Sequence, residues 1–161
     1  MKKIAFIVLS VASLSFSEQK FVCIDPGRIL SESKSVAQAQ EQLRSKVQEY
    51  QKKLDEKQKN LEDLKKQIES KGISQKVKEE KIKEYQRIEA EGMELQQKAQ
   101  KEISELKSKL EEDILVRVRS IAEDMAKAKG YTGIFDCSAL VYKQQDMDIT
   151  SDVINSLDKS K

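Results

Sequence analysis

No histidine and no tryptophan occur in the 161 residues. Without imidazole the chain lacks the commonest general base and metal ligand. Proline occurs once, at Pro26, and glycine five times. Both residues interrupt helices, so their scarcity leaves long stretches free to remain helical. Aromatics make up only 5%, too little bulk for a large compact core. No glycine-rich phosphate loop, Cys-x-x-Cys pair or Gly-x-Ser-x-Gly elbow occurs. Neighbouring carboxylates such as Glu79–Glu80 and Glu111–Glu112 point apart on a helix and read as solvated charge. The expectation is therefore no enzyme, with no catalytic, metal-binding or cofactor-binding residues.

Charge and periodicity dominate what is present. Charged residues make up 36% of the chain. An apolar rhythm of three and four runs through Leu43, Val47, Tyr50, Leu54, Leu61, Leu64 and Ile68, and breaks at residues 70–74. A looser rhythm returns through Ile82, Tyr85, Ile88, Leu95, Ala99, Ile103, Leu106 and Leu110. That spacing places each set on one stripe, and two such helices bury their stripes against each other. Residues 33–129 thus read as an antiparallel coiled-coil hairpin arm with its tip near 70–74. Gly72 supplies a left-handed residue at the turn, and Ser74 caps the return helix. The return helix is the longer, about 56 residues against about 38. From about Ile103 onward it carries more apolar positions per turn, so its base packs into a body.

Residues 1–17 read as a signal peptide. Lys2 and Lys3 precede the uncharged apolar run Ile4 to Phe16, and Ser15 and Ser17 suit cleavage. Thirteen residues are too few to span a bilayer as a helix. The chain has 30 basic and 28 acidic residues, and removing Lys2 and Lys3 leaves 28 of each. The charges are not evenly spread. Lys65, Lys66, Lys71, Lys76, Lys78, Lys81 and Lys83 cluster at the hairpin tip with three glutamates among them, whereas Asp136, Asp146, Asp148, Asp152 and Asp158 mark the C-terminal part. Such a field can steer a charged partner, or be an ordinary solvated surface. Basic residues without interleaved aromatics are a weak sign of nucleic-acid binding, and export argues against such a partner. Ile73, Val77 and Met93 fall at the edges of the seam, either as local packing or as a thin apolar lining that touches a partner.

The body comprises residues 18–32 and 130–161, too few for an independent core. Phe21, Val22 and Ile24 lie in an opening strand, and Asp25–Pro26 begins a short helix. Gly130 ends the long helix. Residues Gly133–Asp136 and Ala139–Tyr142, with Ile134, Phe135, Leu140, Val141 and Tyr142, read as two strands around a turn. Thr150 or Ser151 caps a final helix. Three short strands leave open edges that invite pairing with another copy. Cys23 and Cys137 both fall in the body, as a disulfide or as two buried small hydrophobes. The fold class is α+β, mostly α.

These features resemble the Skp (OmpH-like) periplasmic chaperone family over nearly the whole chain. The resemblance rests on the segment Asp25–Pro26–Gly27–Arg28–Ile29–Leu30–Ser31–Glu32–Ser33, the charged hairpin, and the ending Gly130–Tyr131…Ile134–Phe135–Asp136…Leu140–Val141–Tyr142…Asp148–Ile149–Thr150–Ser151–Asp152–Val153–Ile154. It implies a homotrimer whose strands join across subunits, with three arms enclosing a cavity. It further implies an ATP-independent holdase in the periplasm whose clients are unfolded outer-membrane proteins. An anionic membrane surface or lipopolysaccharide is an implied partner, although no set of positions here matches a site for it. Family members are often markedly basic, whereas this chain without residues 1–17 is neutral. A non-enzymatic envelope scaffold or adaptor is the alternative, but adaptors carry large β domains for which this body leaves no room.

Overall fold

The computed structural model describes residues 19–160; the signal-peptide reading of residues 1–17 lies outside them. A strand β1 (Lys20–Ile24) leads into a short helix α1 (Pro26–Glu32), then the long helices α2 (Lys34–Glu69) and α3 (Gln75–Lys129). A second strand β2 (Tyr131–Asp136) and a final helix α4 (Thr150–Lys159) complete the chain, joined through 3-10 turns at Cys137–Ala139 and Gln145–Met147.

Local chemistry sets these boundaries. The Asp25 carboxylate accepts a hydrogen bond from Arg28 N at the start of α1, with Pro26 in the first turn. Ser33 caps α2 by accepting from Val36 N, and Ser74 caps α3 by accepting from Val77 N. Gly130 ends α3 at φ 70 and ψ 35, the left-handed region where a Cβ is strained. Gly72 does not play that part. Among the described residues only Gly130 has positive φ, and α2 ends through an extended Ser70 at φ −64 and ψ 133. Ser70 N donates to Gln67 O, so the last turn closes tightly and no left-handed residue is needed.

α2 and α3 pack antiparallel along nearly the full length of α2. The seam buries Tyr50 and Leu64 on α2 against Ile88 and Ala99 on α3. Polar pairs cross the helices at intervals: Tyr50 Oη donates to Glu102 at 2.5 Å, Lys57 pairs with Glu91, and Lys81 donates to Gln67. These contacts fix the register along the arm. Val47 and Ile82, expected in the seam, lie at its edge and are 42% and 37% exposed.

β1 and β2 pair in parallel, with Val22 opposite Ile134 and Ile24 opposite Asp136. The whole arm is thus the crossover between two parallel strands. The core lies where the arm meets this sheet. Val22, Ile24, Ile29 and Val36 pack with Ile149, Val153, Ile154 and Leu157. Ile114, Val118, Ile121, Ala122 and Met125 from the base of α3 press against that cluster.

Two sequence expectations fail in the body. Leu140, Val141 and Tyr142 form no strand; Val141 and Tyr142 are fully and largely exposed. The Asp136 carboxylate accepts from Ser138 N at 2.8 Å and turns the chain into a 3-10 turn. Cys137 is bonded to Cys23 with a Cα–Cα distance of 4.9 Å. These two ties carry the chain away from the line of β2, so no hairpin closes and β2 pairs with β1 instead. The final helix is not capped by Thr150 or Ser151. Ile149 stands at the N-cap and has no side-chain oxygen to offer, while Asp148 before it accepts from Thr150 N at 3.0 Å and from Thr150 Oγ1. Thr150 Oγ1 in turn accepts from Asp25 N at 2.9 Å, which ties the starts of α1 and α4 together.

Candidate functional site

The arm exposes isolated apolar side chains among many charges. Val77 lies in the first turn of α3 and is 38% exposed, while Ile73 is half-buried in the turn beside it. Met93 is 60% exposed but lies far down α3, so the structure does not bring these three residues into one patch. Met93 instead borders a shallow groove on mid-arm, with Leu54, Leu61 and Tyr85 as its apolar lining and Lys57, Lys65 and Glu89 at its margins. Gly92 opens that groove, since nothing lies within 4 Å of where its Cβ would stand.

The tip carries the expected charge. Lys65, Lys66, Lys71, Lys76, Lys78 and Lys83 are exposed; Lys66 also lies 3.6 Å from Asp63. Lys81 differs. It is half-buried and donates across the hairpin to Gln67, so it is a seam residue rather than a free charge. Along the arm most ion pairs are exposed i,i+4 contacts, such as Arg87–Glu91 and Lys53–Glu49. Exposed pairs of this kind are screened by solvent, so they solubilise the arm more than they stabilise it.

A larger apolar surface lies at the root. A groove of about 630 Å³ runs between α1, the bases of α2 and α3, and the end of β2. Leu30 and Leu115 line it at 59% and 58% exposure, beside Leu43, Leu110, Ile134 and Phe135. Val116 is equally exposed nearby on α3. Phe21 and Phe135 stack across the sheet with centroids 5.6 Å apart, and Gly133 lies under the Phe21 ring, where a Cβ would stand 3.2 Å from it. Body residues Val22 and Ile24 are buried, while Phe21 and Phe135 remain open.

Carboxylates organise the body. Burial works to raise the Asp148 pKa, but hydrogen bonds from Lys143 and Thr150 outweigh it and hold the group at about 2. Lys143 Nζ stands 2.5 Å from Asp148, and Arg28 stands 3.7 Å away. Asp158 behaves alike: burial raises it, but bonds from Ser35 N, Ser33 Oγ and Lys34 N hold it below the usual carboxylate range. On the arm, the Tyr50 hydroxyl is raised by its bond to Glu102. Among the described residues no cluster of three or more His, Cys, Asp or Glu side chains could hold a metal ion, and no helix is long and apolar enough to cross a membrane.

The root groove and the Asp158 network escaped the sequence. A signal existed for the first: Ile114–Leu115–Val116 and Val118 place apolar groups all round one turn, more than one seam can bury. For the second there was none, since the partners lie 123 to 125 positions apart.

Residues 20–157 match the family described as outer membrane protein (OmpH-like). An uncharacterized protein of Aquifex aeolicus (strain VF5) is 42% identical over 159 residues, spanning 99% of this chain and 98% of its own length. In fold, the chain is similar to a crystal structure from Caulobacter crescentus CB15 described as an outer membrane chaperone (OmpH-like). That likeness has a TM-score of 0.76 at 19% identity, covering 87% of this chain and 84% of the other.

Proposed function

The chain belongs to the OmpH-like family of outer membrane proteins, and on that premise we propose that it is an ATP-independent holdase chaperone. Exported to the periplasm by a cleavable signal peptide at residues 1–17, it binds unfolded outer-membrane β-barrel proteins and prevents their aggregation before insertion. It works as a homotrimer in which three arms surround a client cavity, and it performs no catalysis.

The arm carries this reading. It is a long rod with a dense charged surface and apolar side chains set singly along it, as at Val47, Val77, Ile82 and Met93. An unfolded barrel strand alternates apolar and polar residues and aggregates through its apolar face. Many weak contacts to such a strand sum to a useful affinity, while none fixes a fold. The tip lysines would steer acidic clients, and they are the part of the molecule suited to an anionic membrane surface or lipopolysaccharide.

The body supports assembly. β2 has β1 as its one strand neighbour in the two-stranded sheet. The Leu140–Val141–Tyr142 segment has strand-forming residues without an in-chain strand partner. The root groove leaves the apolar side chains of Leu30, Leu115 and Phe135 open to solvent. A strand joined across subunits would satisfy all three.

Shortening the arm tests the assignment of client binding. Replacing residues 45–104 with a tight turn retains the core residues Val36, Ile114 and Val118 and the groove residue Leu43. The shortened chain should assemble as the full chain does, yet lose protection of a urea-unfolded β-barrel on dilution, followed by light scattering. Protection that persists would place client binding on the body, and the envelope scaffold would become the better account of the arm.

A further inference from the structure

The two arm helices enter the body differently. α3 runs unbroken from the tip into the core and is rooted by Ile114, Val118 and Met125. α2 is separated from α1 by one residue. Ser33, at φ −76 and ψ 130, ends α1 and caps α2 at once. An extended residue between two helices is a joint, because a change in its ψ swings the following helix as a rod.

The last turn of α4 grips that joint. Asp158 accepts from Ser33 Oγ at 2.7 Å, from Ser35 N at 3.0 Å and from Lys34 N at 3.1 Å. Ser35 Oγ donates to Leu157 O at 3.1 Å. From α3, Arg117 donates to the same Leu157 O at 2.7 Å and to Ser160 Oγ at 3.0 Å. A carboxylate thus sits on the free N–H groups at the positive end of α2, while a guanidinium closes the carbonyl end of α4. Ser33 itself is closed to water at 2% exposure, while Lys34 beside it is exposed. Ser33 already caps α2 in the ordinary way through Val36 N. The Asp158 contacts are additional, and they bind the start of the arm to a helix of the body.

We propose that Asp158 is a latch, through which the C-terminal turn of α4 sets the angle at which the arm leaves the body. With the latch open, the root of α2 is free to shift over α3 near Leu43 and Leu106, and the arm direction spreads as α3 bends. Long helices bend gently without breaking, so the arm can change direction while its seam stays intact.

The test uses the full chain with spin labels at Asn60 on the arm and Asn155 on α4, both exposed, diluted into unlabelled chain so that only distances within one copy are read. Asp158→Ala should broaden the Asn60–Asn155 distance distribution. Amide exchange at Lys34 and Ser35 should speed up about tenfold, as expected for loss of a strong cap. Protection of Val153 and Leu157 should persist. An unchanged distance distribution with α4 protected would overturn the latch. If Asp158→Ala unfolds α4, the milder Asp158→Asn decides: a broadened distribution supports the latch, and a native one overturns it.

Discussion

The Cys23–Cys137 bond offers a sharp test of how this small body stays folded. Its half-cystines are 114 positions apart, so the closed loop contains both arm helices. Cys23 is fully buried in β1, and its carbonyl also accepts from Ile149 N at 3.0 Å. The bond therefore joins β1 to the turn after β2 at the point where the start of α4 also attaches. Closing a loop of that size in the unfolded chain gives an entropic stabilisation of about 4.8 kcal/mol, with measured values more often 2–4 kcal/mol. Domains of this size are stable by about 5–15 kcal/mol, so the bond accounts for a large share. The assay is urea unfolding of the oxidised chain against Cys23→Ala/Cys137→Ala, at one fixed protomer concentration because assembly shifts the midpoint. The variant should lose about 2–5 kcal/mol. The arm-shortened chain adds a second arm to the test. Loop entropy depends only logarithmically on length, so roughly halving the loop should reduce the contribution of the bond by only about 0.6 kcal/mol. A loss below about 1 kcal/mol in the full chain, or a contribution that collapses when the arm is shortened, would refute the loop-entropy account.

Three further outcomes follow from the same contacts. Leu157→Ala removes a side chain with no exposure at the centre of the body core, and should cost about 2–5 kcal/mol in urea unfolding while the arm keeps its helical signal. Asp148 sits at about 2 in the folded chain against the usual 3.8. A lowered folded value means that its contribution, about 2 kcal/mol, is complete above pH 4 and is lost as the pH falls toward 2. Asp148→Asn should remove that part of the acid-induced loss when unfolding midpoints are compared across this range. Neutralising Lys71, Lys76, Lys78 and Lys83 to glutamine should slow client capture about tenfold at low salt, and the difference should vanish near 1 M salt, where screening acts within about 3 Å. A defect that ignores salt would show that these lysines act by contact rather than by steering.

Much of the arm was legible because its information is local. Apolar residues recurring every three or four positions define a seam, and Ser33, Ser74 and Gly130 mark helix ends through their own side chains or their lack of one. The turn at 70–74 was also plain, but its mechanism was not: Gly72 is dispensable as a left-handed residue because Ser70 leaves the helix extended. The body was legible only in part. Leu140, Val141 and Tyr142 have the composition of a strand, but strand propensity describes fit to a neighbouring surface, and within one chain the Asp136 turn and the Cys137 bond remove that neighbour. Likewise Thr150 looked like a cap, whereas in the fold it lies inside the helix, its hydroxyl accepts from Asp25 N and its own N–H donates to Asp148. The grip of Asp158 on Ser33 and Ser35 joins residues that nothing in sequence connects. The gap between local and distant information is therefore also the gap between arm and body.

The most direct test of the central claim is the mass of the complex formed when the purified chain meets a urea-unfolded outer-membrane β-barrel without ATP. The account predicts suppressed light scattering and a species of three chains plus one client on a calibrated sizing column. An intact oligomer that leaves the client to aggregate, with no co-eluting species, would contradict it.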